Sequence, residues 1–236
     1  MGRHNANWDA TQSRLIKGAT YKDCATICVI PTRGLIPARV VQSWMNLMAP
    51  MNQKFTRMIF EGLEVGQAYQ QAFEAIVANP ELAKWPYVLT LEEDNLPPPD
   101  GLIKLIEAIE GGVDGKKYDA VGGLYWTKGE EGQPMIYGDP ADLPLNFRPQ
   151  PPRVETVHPC NGLGMGFTLF RLRMFLEGKI PRPWFKTEQS WHPNVGVQIY
   201  TQDLYFFERA GKAGYRFAAD TRVRVGHLDV QTGMVW

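Results

Sequence analysis

The sequence lacks a net charge and is poor in cysteine, and each shortage excludes a class of protein. Lysine plus arginine number 25, and aspartate plus glutamate also number 25, so the overall charge predicts neither nucleic-acid nor membrane binding. The 3 cysteines, Cys24, Cys28 and Cys160, have no paired metal-ligand spacing, and their odd number favours a reducing compartment. We expect free thiols, with Cys24 and Cys28 in the core on one face of a strand.

Long hydrophobic runs are missing as well. The N-terminal residues have no apolar segment of the kind found in signal peptides, and no window approaches the roughly 18 apolar residues of a membrane span. These absences predict a cytoplasmic protein without a membrane span. The chain has 236 residues, which is within the range of one large α/β domain, and no internal repeat or linker divides it.

Hydrophobic patterning alternates between strands and helices from residue 25 onward. Short buried runs predict strands at 25–30, 55–60, 87–91, 119–126, 167–170, 215–219 and 222–225. Apolar positions at helical spacing predict helices at about 37–48, 65–77, 100–109, 172–176 and 201–210. The predicted fold class is therefore α/β, a single domain with a mostly parallel sheet flanked by helices, preceded by a polar arm at residues 1–21.

The most informative stretch is the end of the third predicted strand. Its apolar run stops at Glu92, Glu93 and Asp94, and three prolines soon follow, which exclude further strand pairing and an immediate helix. The acids therefore lie at the carboxyl end of a buried strand. Ligands bind at that edge of an open α/β sheet, and clustered carboxylates there repel one another unless a cation is present. The stretch predicts a divalent-metal site for a phosphorylated substrate.

Two long excursions leave this regular pattern, at residues 127–157 and 178–200. Excursions of this length in a compact domain are typical of lids or binding elements. They carry Trp126, Trp184 and Trp191 in or beside them, whose rings suit stacking on sugar or base faces, although tryptophans more often anchor a core or a loop. Between residues 146 and 186 there are 7 basic and 2 acidic residues, a surplus that favours an anionic acceptor.

Four short motifs occur in an order that resembles the GT-A fold nucleotide-sugar glycosyltransferases, particularly small family 2-like enzymes, including those of phage type. They are residues 30–33 after the first strand, Glu92-Glu93-Asp94 at the family's Asp-x-Asp position, Gln202-Asp203 at a helix start, and His227 after the last strand. The resemblance covers roughly residues 25–228. It implies a GT-A, Rossmann-like domain with a nucleotide-binding half at 22–126 and an acceptor-binding half at 127–236.

The resemblance also implies the cofactor and the catalytic residues. Asp94 would ligate Mn²⁺ or Mg²⁺ bridging the diphosphate of a UDP- or GDP-sugar, with His227 as a further metal ligand, since carboxylate and imidazole suit these cations. Glu92, a glutamate where the family has aspartate, would lie near the ribose. Asp203 would act as the general base that accepts the proton of the acceptor hydroxyl. The preceding Gln202 replaces a carboxylate that is usual in the family.

Several residues would complete the donor site. Thr32 and Arg33 follow the first strand, where a backbone turn and a guanidinium can hold a base edge and a phosphate. Glu61 and Glu64 follow the second strand and are expected to meet base or ribose, and Glu93 belongs to the same nucleotide-binding set. Asn161 and Gly162 begin a small-residue turn that resembles the one beneath the donor sugar in the family. We expect Asn161 to donate hydrogen bonds to sugar hydroxyls.

The residues also allow other functions. A nucleotidyltransferase that makes a nucleotide sugar uses a similar sheet, carboxylates and Mg²⁺, although the turn at residues 31–34 has few glycines for it. A non-catalytic nucleotide-sugar or glycan-binding protein would explain Glu92 and Gln202 in place of the family's residues. For a transferase, the acceptor is expected to be a glycan, a small molecule or a hydroxylated base in phage DNA.

Overall fold

A computed structural model describes residues 21–111, 117–193 and 196–236. The predicted N-terminal arm, apart from Tyr21, lies outside these residues. The strands in the described ranges are β1 (Thr26–Thr32), β2 (Phe55–Glu61), β3 (Tyr87–Leu91), β4 (Asn95–Leu96), β5 (Ala120–Leu124), β6 (Ile136–Tyr137), β7 (Val157–Cys160), β8 (Gly162–Leu163), β9 (Phe167–Arg171), β10 (Glu188–His192), β11 (Gly196–Tyr200), β12 (Phe217–Arg224) and β13 (Gly226–His227). The α-helices there are α1 (Ala38–Met45), α2 (Val65–Ala78), α3 (Gly101–Ile109), α4 (Arg173–Leu176) and α5 (Gln202–Lys212), and Leu82–Lys84 forms a 3₁₀ turn.

A 7-stranded sheet in the order β2-β1-β3-β9-β5-β12-β7 organises the domain. Strands β1, β2, β3, β5 and β12 run in one direction. Strand β9 lies antiparallel between β3 and β5, and β7 lies antiparallel at the edge beside β12. The prediction of an α/β domain with a mostly parallel sheet is confirmed. The sequence does not indicate the reversal of β9, because a single strand pattern carries no sign of its direction.

Helices cover both faces of this sheet, as the strand–helix alternation requires. On one face, apolar residues of α2 and α5 pack against the sheet through Phe73, Ile76 and Phe206. On the other face, α1 and α3 contribute a second cluster. Cys24 and Cys28 are buried in that second cluster, which confirms their expected place in the core. None of the helices in the described ranges is long and apolar enough to cross a bilayer.

Strand β12 corrects one predicted boundary. The pattern predicts two short strands interrupted near Asp220, whereas the structure has one strand through that position, whose pairing with β5 shifts register between Asp220 and Arg224. Asp220 is fully buried, and its carboxylate accepts hydrogen bonds from the Arg222 backbone amide and guanidinium, the latter at 2.7 Å. A carboxylate neutralised in this way can remain inside a sheet. The local sequence indicates a turn because it does not show this pairing.

The second excursion is more ordered than its composition indicates. Strands β10 and β11 form an antiparallel hairpin in which Trp191 pairs with Val197, and Trp191 is exposed. Trp184, by contrast, is only 2% exposed, and its ring packs at 5.1 Å from the Phe175 ring. Of the two alternatives for Trp184, the structure shows the core anchor and excludes stacking on a sugar or base. This side chain closes the aromatic core beneath α2 and α5.

Candidate functional site

The predicted site residues meet at the carboxyl edge of the sheet. Parallel pairing of β1 with β2 sets Thr32 opposite Glu61, and β3 ends immediately before Glu92. The chain then turns into β4, where Asn95 pairs with His227 of β13. Two residues that are far apart in the sequence are thus neighbours through backbone pairing. Motifs that the family resemblance relates only by their order along the chain are therefore close together in the fold.

Glu93 holds the turn after β1. Its carboxylate accepts hydrogen bonds from the Thr32 hydroxyl and from the Arg33 backbone amide, both at 2.7 Å, and pairs with the Arg33 guanidinium. Burial alone would raise the pKa of Glu93, but these donors hold the pKa of the carboxyl below its ordinary value. Glu93 therefore fixes the residues predicted to meet the nucleotide, and its carboxylate is itself occupied.

Asp94 and His227 form the second part of the site. The Asp94 Oδ2 atom lies 3.5 Å from His227 Nε2 and also accepts a hydrogen bond from the Lys128 ammonium. Burial opposes ionisation, but the His227 ring and the Lys128 ammonium beside it lower the pKa of Asp94 to about 2. Asp94 is consequently a carboxylate at neutral pH. It is the anionic centre to which both other side chains are directed.

The backbone around His227 determines which ring nitrogen is available. Its Nδ1 lies 2.7 Å from the carbonyl oxygen of Trp126, and a carbonyl only accepts, so Nδ1 carries the proton in the neutral ring. The Nε2 lone pair then faces Asp94. His227 and Trp236 also exchange two backbone hydrogen bonds of 3.0 Å. An imidazole with its outer nitrogen bonded to a carbonyl has the arrangement usual for metal-ligating histidines.

These two side chains fit a divalent cation as part of a ligand set. The described residues contain no group of three or more histidines, cysteines and acids that could hold a metal ion. The protein would supply Asp94 Oδ2 and His227 Nε2, and phosphate oxygens and water would have to complete the shell. Mg²⁺ is commonly held in this way, by one or two protein groups together with substrate phosphates. The donor set therefore suits a cation that binds with its substrate.

Glu92 and Asp203 lie next to this centre, Glu92 half-buried and Asp203 buried. The Tyr69 hydroxyl donates to Glu92 at 3.1 Å, whereas burial and the charges of Asp94 and Asp203 raise the pKa of Glu92 to about 7. Asp203, 4% exposed, accepts hydrogen bonds from the Thr201 hydroxyl and the Leu204 amide. Burial raises the pKa of Asp203. Burial thus raises the pKa of both carboxyls, as is common for acids and bases at functional sites.

An open cleft of about 400 Å³ joins several of these residues. Its walls come from the ends of β1 and β3 and the starts of α2 and α5, and include Thr32, Arg33, Glu64, Glu92, Glu93, Asp94 and Gln202. The lining therefore includes Gln202 and Glu92, while Asp203 stands one residue further into α5. A second cleft of about 420 Å³, on the other side of the Arg33–Glu93 pair, is lined by Lys128, Asp229 and Gln231.

Four predicted residues have structural partners that alter their expected roles. The Glu64 carboxylate caps α2 at the Gln67 amide, at 3.0 Å, and accepts from Thr187, at 2.9 Å. Glu61 lies against the turn at Gly34, and a Cβ placed on that glycine would approach the Glu61 carboxylate to 2.7 Å. Asn161 and Gly162 do not line the 400 Å³ cleft.

Asn161 departs most from its prediction. Its side-chain amide donates to the carbonyl of Asn146 at 2.9 Å and to that of Asp139 at 3.4 Å. The amide nitrogen is therefore used to fasten the first excursion, rather than left free for a sugar hydroxyl. Gly162 is buried against Phe147, whose ring lies 3.1 Å from a Cβ placed on the glycine. The small residue there permits close packing of this loop.

Sequence reasoning missed Lys128 and Tyr69. Lys128 lies in a polar excursion with no period, and nothing in its neighbours distinguishes it from a solvated lysine. Tyr69 belongs to the apolar side of α2, so its pattern predicts only packing. The position of Tyr69 about one turn after the start of the helix is compatible with a hydroxyl at the sheet edge, but its carboxylate partner is set by the tertiary fold.

Most of the basic residues counted between residues 146 and 186 form ion pairs with carboxylates of the same chain. The pairs are Arg153–Asp139, Arg171–Glu110, Arg173–Asp119, Lys179–Glu177 and Lys186–Glu188. Cations paired in this way attract phosphate less than the sequence count indicates. The segment therefore offers weaker support for a highly charged acceptor than its composition does.

Comparison with known proteins identifies a shared fold. No protein-family model matches the chain, and no curated protein matches it. Among solved structures, the crystal structure of A197 from STIV is similar, with a TM-score of 0.59, 20% sequence identity, and coverage of 89% of this chain and 92% of that chain. Likeness at this identity supports the architecture alone. Any function must be argued from the side chains described above.

Glu93→Gln is expected to lower the free energy of unfolding by about 1–2 kcal/mol at neutral pH, because charged hydrogen bonds to Thr32 and Arg33 are weakened. The pKa of Glu93 is depressed below its ordinary 4.5, so this stabilisation is full above that pH and is lost as the pH falls through the folded-state value. Urea unfolding at about pH 7 and about pH 3 measures the difference, which should shrink in acid.

Glu81→Gln is the matched control, because Glu81 pairs with Lys84 at 2.7 Å on an exposed surface. Its effect should stay within about 0.5 kcal/mol at either pH. An equal loss of stability in both variants would contradict the structural role assigned to Glu93.

Proposed function

We propose that this chain is a metal-dependent glycosyltransferase of GT-A type that moves a sugar from a UDP- or GDP-sugar to a hydroxyl acceptor in the cytoplasm. The observation that carries the proposal is the pair Asp94 Oδ2 and His227 Nε2, 3.5 Å apart at the carboxyl edge of the sheet. The Trp126 carbonyl holds the imidazole in an orientation suited to ligation. These two side chains would hold Mn²⁺ or Mg²⁺, which when bound would neutralise charge on the diphosphate.

The donor would lie along the ends of β1, β2 and β3. The turn at Thr32 and Arg33 is fixed by Glu93, yet the Arg33 side chain is 78% exposed and can meet a base or phosphate. Glu61, Glu64 and Glu92 border the same region and are our candidates for contacts with base or ribose. A preformed turn of this kind supports binding because little further ordering is required.

The transfer needs a base for the acceptor hydroxyl. That oxygen would bond to the anomeric carbon while the bond from this carbon to the diphosphate oxygen breaks, and its electron pair would leave with the nucleoside diphosphate. The hydroxyl proton would pass to the Asp203 carboxylate. Glu92 is a second candidate for the base, because it lines the cleft and burial raises its pKa to about 7.

The acceptor is proposed to be a glycan or a small molecule. A cavity of about 490 Å³ adjoins His227 through Trp126, Gly226 and Trp236, and its walls are mainly apolar. Indole rings suit the flat faces of sugars. Arg153 and Arg224 at the same cavity are paired with Asp139 and Glu155, but their side chains are 62% and 70% exposed and keep donors for further hydrogen bonds. A hydroxylated base in DNA is a weaker alternative because the basic segment is paired internally.

A donor-library screen tests the proposal. With Mn²⁺ present, wild type should release a nucleoside diphosphate slowly from one UDP- or GDP-sugar by hydrolysis. Asp94→Asn should reduce this release at least about 100-fold, because the variant loses the anionic ligand. The release is measured by a coupled assay for nucleoside diphosphate. Absence of release and of nucleotide binding across common donors, or full release by Asp94→Asn, would overturn the proposal.

The assignment of the base has a separate test. Asp203→Asn should lower transfer to the acceptor about 100-fold or more, while Mn²⁺-dependent UDP or GDP affinity stays within about twofold, since the base acts on the acceptor. Glu92→Gln provides the comparison. If Glu92→Gln lost transfer at unchanged nucleotide affinity and Asp203→Asn did not, the base would be Glu92.

A further inference from the structure

Lys128 occupies the atom that the proposed cation needs. Its ammonium binds Asp94 Oδ2, the same oxygen that faces His227 Nε2 at 3.5 Å. Two cations on one carboxylate oxygen repel each other, so a divalent ion and the Lys128 ammonium compete for this position. The Lys128 ammonium thus neutralises the Asp94 carboxylate before any ligand binds.

The backbone beside Lys128 is held by hydrogen bonds, whereas the Lys128 side chain can move away from Asp94. The Thr127 amide donates to the Gln133 carbonyl at 2.8 Å, and the Gln133 amide donates to the Thr127 hydroxyl at 2.8 Å. These bonds close a short turn that anchors the lysine. The side chain is 32% exposed, against 13% for Asp94. A long, partly solvated side chain on a fixed turn can exchange one anionic partner for another at low cost.

A second anion-binding position lies within reach. Lys128 and Arg33 line the same 420 Å³ cleft, beside the Asp94 turn. The carboxylates of Glu93 and Asp229 line the cleft together with these two cations, Arg33 being paired with Glu93 and Lys128 with Asp94, so the cleft has no net positive charge in this state. Moving the ammonium away from Asp94 would leave it free to bind a phosphate oxygen there.

We infer that Lys128 is a positioning residue that couples the divalent cation to the diphosphate. Asp94 would exchange the Lys128 ammonium for the cation, and the released ammonium would then bind the diphosphate. Each ligand therefore strengthens the binding of the other, as linkage requires. The inference rests on the proposed function and gives this site a property beyond it: weak binding of the cation alone and tight binding of the pair.

The test compares Lys128→Met with Lys128→Arg and with Lys104→Met as a matched control. Lys104 also pairs with an aspartate, Asp100, at 3.0 Å, but lies on α3. Binding of Mn²⁺ alone is measured from the free-ion signal in electron paramagnetic resonance. Binding of UDP and GDP at saturating Mn²⁺ is measured by calorimetry. Thermal unfolding of each variant confirms that the fold is retained.

Opposite changes in the two affinities are expected. Lys128→Met should bind Mn²⁺ alone about three- to tenfold more tightly, because the competing cation is gone. The same variant should bind the diphosphate about tenfold or more weakly at saturating Mn²⁺, because a charged phosphate contact is lost. Lys128→Arg should keep much of the diphosphate affinity, and Lys104→Met should change neither value.

The contrary outcomes separate the inference from the function on which it rests. If wild type binds Mn²⁺ and diphosphate but Lys128→Met leaves both affinities unchanged, the coupling role is wrong and the proposed function stands. If wild type binds diphosphate without any divalent ion and Lys128→Met no longer binds it, the lysine takes the place of the metal. Both the coupling role of Lys128 and the proposed metal dependence are then wrong. If wild type binds neither, the proposed function fails together with the inference.

Discussion

Three consecutive carboxylates at the end of one buried strand impose the constraint on which the rest of the site depends. Each carboxylate must be compensated where little water is available, and each finds a different partner. The Glu92 carboxyl accepts a hydrogen bond from the Tyr69 hydroxyl, and its pKa is raised to about 7, chiefly by burial. Glu93 is satisfied by Thr32 and Arg33. Asp94 remains ionised against His227 and Lys128. The same stretch of chain therefore holds three different carboxyl groups. The pKa of Glu92 is near neutral, the Glu93 carboxylate holds the turn after β1, and the Asp94 carboxylate can exchange its cationic partner.

The partners come from every part of the domain, which explains why the site needs the complete fold. Thr32 and Arg33 follow β1, Tyr69 belongs to α2, Lys128 follows β5, and His227 lies in β13. Pairing of β13 with β4 sets His227 beside the acids, and the backbone bonds between His227 and Trp236 hold it there. Clefts on either side of the Arg33–Glu93 pair leave room for a ligand with both a flat base and phosphates. The geometry thus supports a substrate that spans the sheet edge.

Elements whose signal is local are predictable from the sequence. Strands β1, β2 and β3 and helices α2 and α3 lie where their hydrophobic patterns predict them. The position of the three carboxylates at the end of β3 is also predictable, because the prolines that follow them end the strand. Only family resemblance pairs Asp94 with His227 at the level of sequence, because their contact depends on the β4–β13 pairing. Lys128, the loop-fastening amide of Asn161 and the core position of Trp184 could not be predicted, since a polar loop gives no period from which a tertiary partner follows. Asp220 resembles a turn residue in the sequence because its neutralising partner Arg222 acts through geometry.

The central claim is that Asp94 and His227 together hold a divalent cation with a nucleoside diphosphate. The most direct measurement is anomalous scattering from a crystal of the protein grown with Mn²⁺ and UDP. We expect one manganese peak in contact with Asp94 Oδ2, His227 Nε2 and diphosphate oxygens, with the Lys128 ammonium displaced from Asp94. Bound UDP with no manganese between these two side chains, and Lys128 still on Asp94, would contradict it.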